Sequence, residues 1–232
     1  MSIIRFNVDD VFNCDSQEYE VLVNAVNGIK GVEGGIVEIG TRRGGSAKLI
    51  IDKLVENGDT NRAMFCIDPY GNIEIECTNL NMSIHYPHIQ KDGDPNSKEI
   101  TSKQRFDYTN GMRNRVIPSL YYYAYQAGLN FTFFCLEDTE FFNRYSDGVP
   151  IYDNFKKYIE KYALVFFDGP HDNNAVIHET EFFAFQRSVK GSIFVYDDIW
   201  MYDHDAVEKL LFANGFEILE KKNIKASYIK TK

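Results

Sequence analysis

At 232 residues the chain is long enough to close one full hydrophobic core, and 44% apolar with 25% charged residues excludes a disordered or fibrous protein. A formal net charge of −9 without any long basic run argues against a general nucleic-acid surface and against an anionic membrane as partner. No stretch is apolar for long enough to span a bilayer, and the first residues lack the apolar core of a secretion signal. The four scattered cysteines, Cys14, Cys66, Cys77 and Cys135, form no C-x-x-C and read as reduced thiols, with Cys66 and Cys135 in buried strands. These features together place the protein in the cytoplasm.

In chain order, the first 15 residues are mixed and irregular. Ser16 to Ile29 reads as an amphipathic helix with Tyr19, Leu22, Val23 and Val26 on one face and Ser16 as its cap. The stretch from Gly35 to Ser46 then reads as a short apolar strand, a glycine turn and a helix start, and the helix continues to Asn57 and closes at Gly58. Gly40 suits a sharp turn, and Gly44, Gly45 and Ser46 would offer free N–H groups to an anion at the helix N-terminus. Glu38 stands out, because a carboxylate near the end of a buried strand is costly without a donor. The stretch has neither the G-x-G-x-x-G spacing of a dinucleotide turn nor the G-K-[ST] ending of a phosphate loop.

Ala63–Ile67 is the second strand, ending at Asp68 before Pro69. A carboxylate there suits ribose hydroxyls in a doubly wound fold, while a turn aspartate before proline is the plainer alternative. Residues 72–111 are polar and long for a connection, and read as an inserted lid, substrate or oligomer segment. Their His85-x-x-His88 lacks a helix or a third ligand and is a weak metal pair. Arg113–Ala127 reads as a helix whose tyrosines pack, Phe131–Leu136 as a strand, and a helix is expected around Asn154–Glu160. Ala163–Phe167 is a strand followed by a helix from Asn174 to Ser188 closed by Gly191. Ser192–Tyr196 is a strand followed by a helix from Asp205 to Asn214, with Asp203 as a capping acid and Gly215 as the stop. Phe216–Glu220 and Ala226–Lys230 end the chain as a hairpin. Unbroken apolar strands alternating with helices indicate a parallel sheet covered on both faces.

Each expected parallel strand ends in acid: Glu38, Asp68, Glu137 with Asp138, Asp168, and Asp197 with Asp198. Open α/β sheets bind ligands at this edge, and crowded carboxylates there need donors or a cation to offset their repulsion. Asp168, Asp197 and Asp198 make a hard oxygen set suited to Mg²⁺, or to Mn²⁺ or Ca²⁺, although turn and capping chemistry also accounts for Asp197 and Asp198. His171 lies on the turn above the same edge, where an imidazole can take a proton.

With these residues in place, the chain resembles the class I S-adenosylmethionine-dependent methyltransferases over roughly residues 30–230, and within them the metal-dependent small-molecule O-methyltransferases of the catechol and macrocin or sugar types. The run from Glu38 through Gly40, Thr41, Gly44 and Ser46 matches their E-x-G-x-x-x-G-x-S motif. The resemblance implies a Rossmann-like, doubly wound, mostly parallel seven-stranded sheet with a reversed last strand and an inserted cap between strands two and three, all in one methyltransferase domain over 1–232. It implies that Glu38, the glycines and Ser46 hold the methionine part of the cofactor, that Asp68 grips the ribose, and that Glu137 and Asp138 lie on the adenine side. It implies further that Asp168, Asp197 and Asp198 bind the metal and that His171 accepts the proton of a small hydroxyl acceptor. Pro170 stands where sugar-modifying members carry a second acid, and His171 falls where the catechol type places a basic residue. A homo-oligomer fits the aromatic-rich insertion. The rival readings are an NAD-dependent or other Rossmann-type enzyme and a non-catalytic α/β binding module.

Overall fold

The computed structural model describes residues 11–14, 16–70, 74–75, 104–105 and 110–232. The chain divides into two compact units, one of residues 1–69 with 115–232 and one of residues 70–114. Within the second, Glu74–Ile75 pairs antiparallel with Gln104–Arg105. The expected lid ends in the described residues 110–111, which begin a helix, and its remainder beyond these strands, with His85, His88 and Cys77, lies outside the described residues.

The elements of the chain are α1 (Tyr19–Gly28), β1 (Gly35–Ile39), α2 (Gly45–Asn57), β2 (Ala63–Ile67), β3 (Glu74–Ile75), β4 (Gln104–Arg105), α3 (Asn110–Gln126), β5 (Asn130–Phe134) and α4 (Asp138–Arg144), followed by β6 (Val149–Tyr152), β7 (Lys156–Ile159), β8 (Tyr162–Phe167), α5 (Asn173–Ala184), β9 (Ser188–Tyr196), α6 (His204–Ala213), β10 (Phe216–Lys221) and β11 (Ala226–Lys230). Seven strands form one sheet in the order β10-β11-β9-β8-β1-β2-β5. The central pairs are parallel, and β11 runs antiparallel to both β9 and β10. This is the expected doubly wound sheet with its last strand reversed. Chain order reverses between β1 and β8, which sets the switch point where such sheets bind ligands.

Alternation along the strands explains the layers. Val37, Ile39, Phe65, Val165, Phe167, Phe194 and Tyr196 join Phe141, Val176, Phe183, Val207 and Leu211 in one core under α4, α5 and α6. The intervening residues, among them Ile36, Glu38, Cys66, Leu164 and Phe166, are also fully buried and belong to the side of α1 and α2. Burial on both faces is why these strands are apolar throughout rather than alternating. Aromatic rings fill much of the core, with Phe142 stacked on Phe182 at 4.2 Å and Phe167 on Tyr196 at 4.4 Å between centroids.

Several local expectations change. The segment around Asn154 is not helical: β6 and β7 form an antiparallel hairpin with Val149 opposite Ile159 and Tyr152 opposite Lys156. Alternating burial of Val149 and Ile151 selects strand over helix there. Glu137 and Asp138, expected at a strand end, instead cap and begin the helix α4. Gly191 does not close α5 but sits within β9 at φ 91°, and β9 begins already at Ser188. Cys135 is exposed rather than buried. Ser16 does not cap α1: Glu18 takes that position, and the Ser16 hydroxyl turns to Asp197. Gly58 does close α2, and the Asp203 carboxylate caps α6 by accepting from Ala206 N at 3.2 Å. No helix among the described residues is long and apolar enough to cross a membrane.

Candidate active site

The acids are lined up by the sheet itself. Each residue just past a strand donates its N–H to the last carbonyl of the neighbouring strand: Gly40 to Ile67 at 2.9 Å, Asp68 to Phe134 at 3.1 Å, Asp168 to Ile39 at 2.9 Å and Asp197 to Phe167 at 2.9 Å. The carboxylates of β1, β2, β8 and β9 therefore share one edge and one phase of the strand alternation. Gly40 lies against the β8 end so closely that a Cβ would fall 1.9 Å from the Asp168 carbonyl oxygen, and its φ of 84° also requires glycine.

Glu38 is fully buried under the glycine turn. Burial pushes its carboxyl up to about 7, partly offset by the nearby polar groups of Ser46, Cys66 and Thr41 and reinforced by the charge of Asp68. Cys66 Sγ donates to Glu38 Oε2 at 3.2 Å, while Glu38 Oε1 and the Thr41 hydroxyl make no well-formed hydrogen bond within the protein. Buried oxygens in this state fit a polar ligand lying on the turn. The Asp68 carboxylate accepts from Arg42 N at 2.9 Å, tying the end of β2 to the turn after β1. Gly44 at φ 71° starts α2, with Ser46 buried in its first turn.

On the other side of the switch point, Asp197 is held from three directions. The Lys225 ammonium lies 2.6 Å from Asp197 Oδ2, and Oδ1 accepts from Asp198 N at 2.8 Å and from Ser16 Oγ at 3.1 Å. Burial raises the Asp197 carboxyl above its ordinary value, against the pull of Lys225. Asp198, in the left-handed region at φ 47°, accepts from the Trp200 indole at 3.2 Å and lies 3.8 Å from His171 Nε2. The His171 ring is parallel to that of Tyr202, whose hydroxyl donates to the Asp197 carbonyl at 3.2 Å. His171 Nε2 is buried and makes no well-formed hydrogen bond within the protein.

The adenine-side candidates separate. Glu137 is exposed and N-caps α4, its N–H donating to Glu140 Oε2 at 3.3 Å. Asp138 is half-buried and in contact with Glu179 of α5, a fully buried carboxyl that burial and the neighbouring Asp138 charge push well above the carboxylate range.

The acidic edge does not fit a three-carboxylate metal site. Among the described residues no three His, Cys, Asp or Glu side chains stand close enough to share an ion. Asp197 Oδ1 accepts two hydrogen bonds, and Oδ2, which makes no well-formed hydrogen bond, is ion-paired with a buried ammonium 2.6 Å away. Asp168, Asp197 and Asp198 reach the same edge, as the sequence indicates, but not as a ligand set. Lys225 and Glu179 carry no signal in the sequence, and Ser16 reads there only as a helix cap. Lys225 looks like its neighbours Lys221 and Lys222 in a polar turn, and only the β9–β11 register, with Ala226 opposite Tyr196, reveals that it meets Asp197. A cleft of about 720 Å³ opens by Gly34, Arg62, Asn130 and Lys157, at the opposite end of the strands. Its buried cation, Arg62, is taken up by the carbonyls of Ile29, Val32 and Gly34 and by Asp59.

The O-methyltransferase NovP superposes with a TM-score of 0.54 at 19% identity, over 92% of this chain and 79% of its own. The calicheamicin methyltransferase CalS11 does so at 0.57 and 16%, with the same coverage. These likenesses establish the fold. No curated protein matches the sequence. A family profile described as a methyltransferase domain matches residues 37–199, from the buried strand under the glycine turn to the acids after β9. The chain belongs to this methyltransferase-domain family.

Proposed function

We propose that the chain transfers a methyl group from S-adenosylmethionine to a hydroxyl oxygen of a small polar acceptor, such as a sugar, a polyol or a catechol. The observation that carries this reading is the turn after β1. A fully buried carboxyl, Glu38, keeps one oxygen without a well-formed partner directly beneath the Gly40–Ser46 turn, with Asp68 beside it at the end of β2. That arrangement suits the ammonium and hydroxyl groups of an amino-acid nucleoside better than a pyrophosphate, which two carboxyls would repel. The hydroxyl acceptor is supported by the fold shared with NovP, described as an O-methyltransferase, and with CalS11, described as a TDP-rhamnose 3'-O-methyltransferase.

S-Adenosylmethionine supplies an electrophilic methyl group on a sulfonium sulfur. The turn residues Glu38, Thr41 and Ser46 hold its amino-acid end, Asp68 its ribose, and Asp138 its base. His171 takes the acceptor's hydroxyl proton as the new O–C bond forms and the C–S bond breaks. Asp198, 3.8 Å away, then faces the imidazolium and stabilises its charge. The chain's main contribution is to hold the acceptor oxygen in line with the C–S bond. No step passes through a divalent metal, because the carboxylate set does not fit one.

Thermal unfolding tests the reading. S-Adenosylhomocysteine at one hundred times its dissociation constant should add about 2.7 kcal/mol, a rise of roughly 5–10 °C for a chain of this size. A rise with NAD and none with S-adenosylhomocysteine would overturn it.

A further inference from the structure

We infer that Lys225 is the built-in cation of this acidic edge, and that its ammonium, rather than a divalent ion, occupies the charge position opposite Asp197. Four observations carry the inference. Lys225 is fully buried, an unusual state for lysine unless it is paired. Its Nζ lies 2.6 Å from Asp197 Oδ2 and 2.6 Å from Ser16 Oγ, and 4.6 Å above the Tyr19 ring. The Ser16 hydroxyl also donates to Asp197 Oδ1 at 3.1 Å, so serine and lysine together engage both carboxylate oxygens. The turn that carries Lys225 is fastened from the N-terminal segment: the Glu18 carboxylate accepts from the backbone N–H of Asn223, Ile224 and Lys225 at 3.3, 2.8 and 3.1 Å. Ile199 N donates to the Ile224 carbonyl at 3.0 Å, which fixes the same turn to the loop after Asp198.

The energetics favour this arrangement over a metal. A dication placed on Asp197 would have to displace the ammonium, leaving a buried lysine without its counter-charge and beside a second cation. Breaking a buried pair in this way is strongly destabilising. Lys225 is thus a positioning residue. It fixes Asp197, whose carboxylate accepts from Asp198 N and so sets the orientation of the residue that faces His171. The segment from Ser16 to Tyr19, outside the matched methyltransferase region, completes the site by holding this lysine in place.

The test uses the full chain, freed of metals by chelation, with Mn²⁺ as the probe and electron paramagnetic resonance as the readout, with and without S-adenosylhomocysteine. The expected result is the spectrum of the free aqua ion in both cases. One Mn²⁺ bound per chain, lost on Asp198→Asn or Asp168→Asn, would overturn the inference. A thermal double-mutant cycle gives an independent readout. Lys225→Met should lower the melting temperature by roughly 6–20 °C, and Asp197→Asn in that background should recover part of the loss. Strictly additive effects of the two changes would also overturn it, and if Lys225→Met does not fold, the Mn²⁺ measurement on the wild-type chain still decides. The inference depends on the methyltransferase reading only for its catalytic meaning. A chain that binds neither Mn²⁺ nor S-adenosylhomocysteine would refute that reading and leave Lys225 as the resident cation.

Discussion

Glu38→Gln isolates the thermodynamic cost of the buried carboxyl beneath the glycine turn. Burial is the largest cause of its displacement from 4.5 to about 7. The unfolded chain releases this proton above pH 4.5, the folded chain only near 7. Between these values the folded state holds more protons than the unfolded one, so stability is lost as pH rises, by about 3 kcal/mol at the top of the window. A glutamine cannot ionise and does not incur this loss. The melting temperature of Glu38→Gln minus that of the wild type should therefore be larger at pH 8 than at pH 5 by roughly 6–12 °C. Any constant effect of exchanging an oxygen for an amide among Ser46, Cys66 and Thr41 cancels in that comparison. Calorimetry at the two pH values is the assay, and a difference that does not change with pH would refute the reasoning. The same substitution should weaken S-adenosylhomocysteine binding by about 10–100-fold, because a charge-assisted hydrogen bond is lost. The position would then trade stability for ligand affinity.

Two further substitutions probe the scaffold. Arg62→Met removes a guanidinium that serves the carbonyls of Ile29, Val32 and Gly34 and the Asp59 carboxylate, and should cost about 3–5 kcal/mol. S-Adenosylhomocysteine affinity should be unchanged, because Arg62 lies at the opposite end of the strands; a parallel loss of affinity would contradict that placement. His204 is buried with Nε2 2.7 Å from the Tyr228 hydroxyl, and burial lowers its pKa to about 4. The unfolded chain binds this proton first, so stability is lost as pH falls from 6.5 towards 4. His204→Gln should flatten that acid limb by up to about 3 kcal/mol in urea titrations, and an unchanged limb would refute the assignment.

The sheet was legible because its strands are apolar on both faces and its helices are bounded by strong signals such as Gly58 and Asp203. Part of the acidic edge was legible for the same reason, since Asp68, Asp168 and Asp197 directly follow apolar runs that form strands. The β6–β7 hairpin was not, because four-residue strands with mixed polarity have too short a period to distinguish from one helical turn. Glu137 shows the same difficulty from the other side: an acid after a strand and an acid capping a helix are written alike, and only the Glu140 contact separates them. Lys225 and Ser16 lay beyond reach because their partner is distant in sequence. Ser16 and Asp197 are 181 residues apart, and nothing local to either distinguishes a buried contact from a solvated one.

Crowded carboxylates need donors or a cation to offset their repulsion, and the fold supplies donors and one ammonium of its own. The repulsion is relieved one acid at a time, by different chemistry at each. Glu38 is stabilised by hydroxyl and thiol donors, and its raised pKa lets it retain a proton. At Glu179, burial and the neighbouring Asp138 charge push the carboxyl well above the carboxylate range, which disfavours a second charge there. Asp197 stays paired with an ammonium inside the fold. Asp68 is tied to a backbone N–H, and Asp198 to an indole and an imidazole. What remains at the edge is a graded set rather than a uniform anionic surface: a protonatable acid under the glycine turn, and a carboxylate and imidazole across the switch point. Under the proposed methyl transfer, the amino-acid end of the sulfonium would lie over the first of these and the acceptor's proton would leave towards the second.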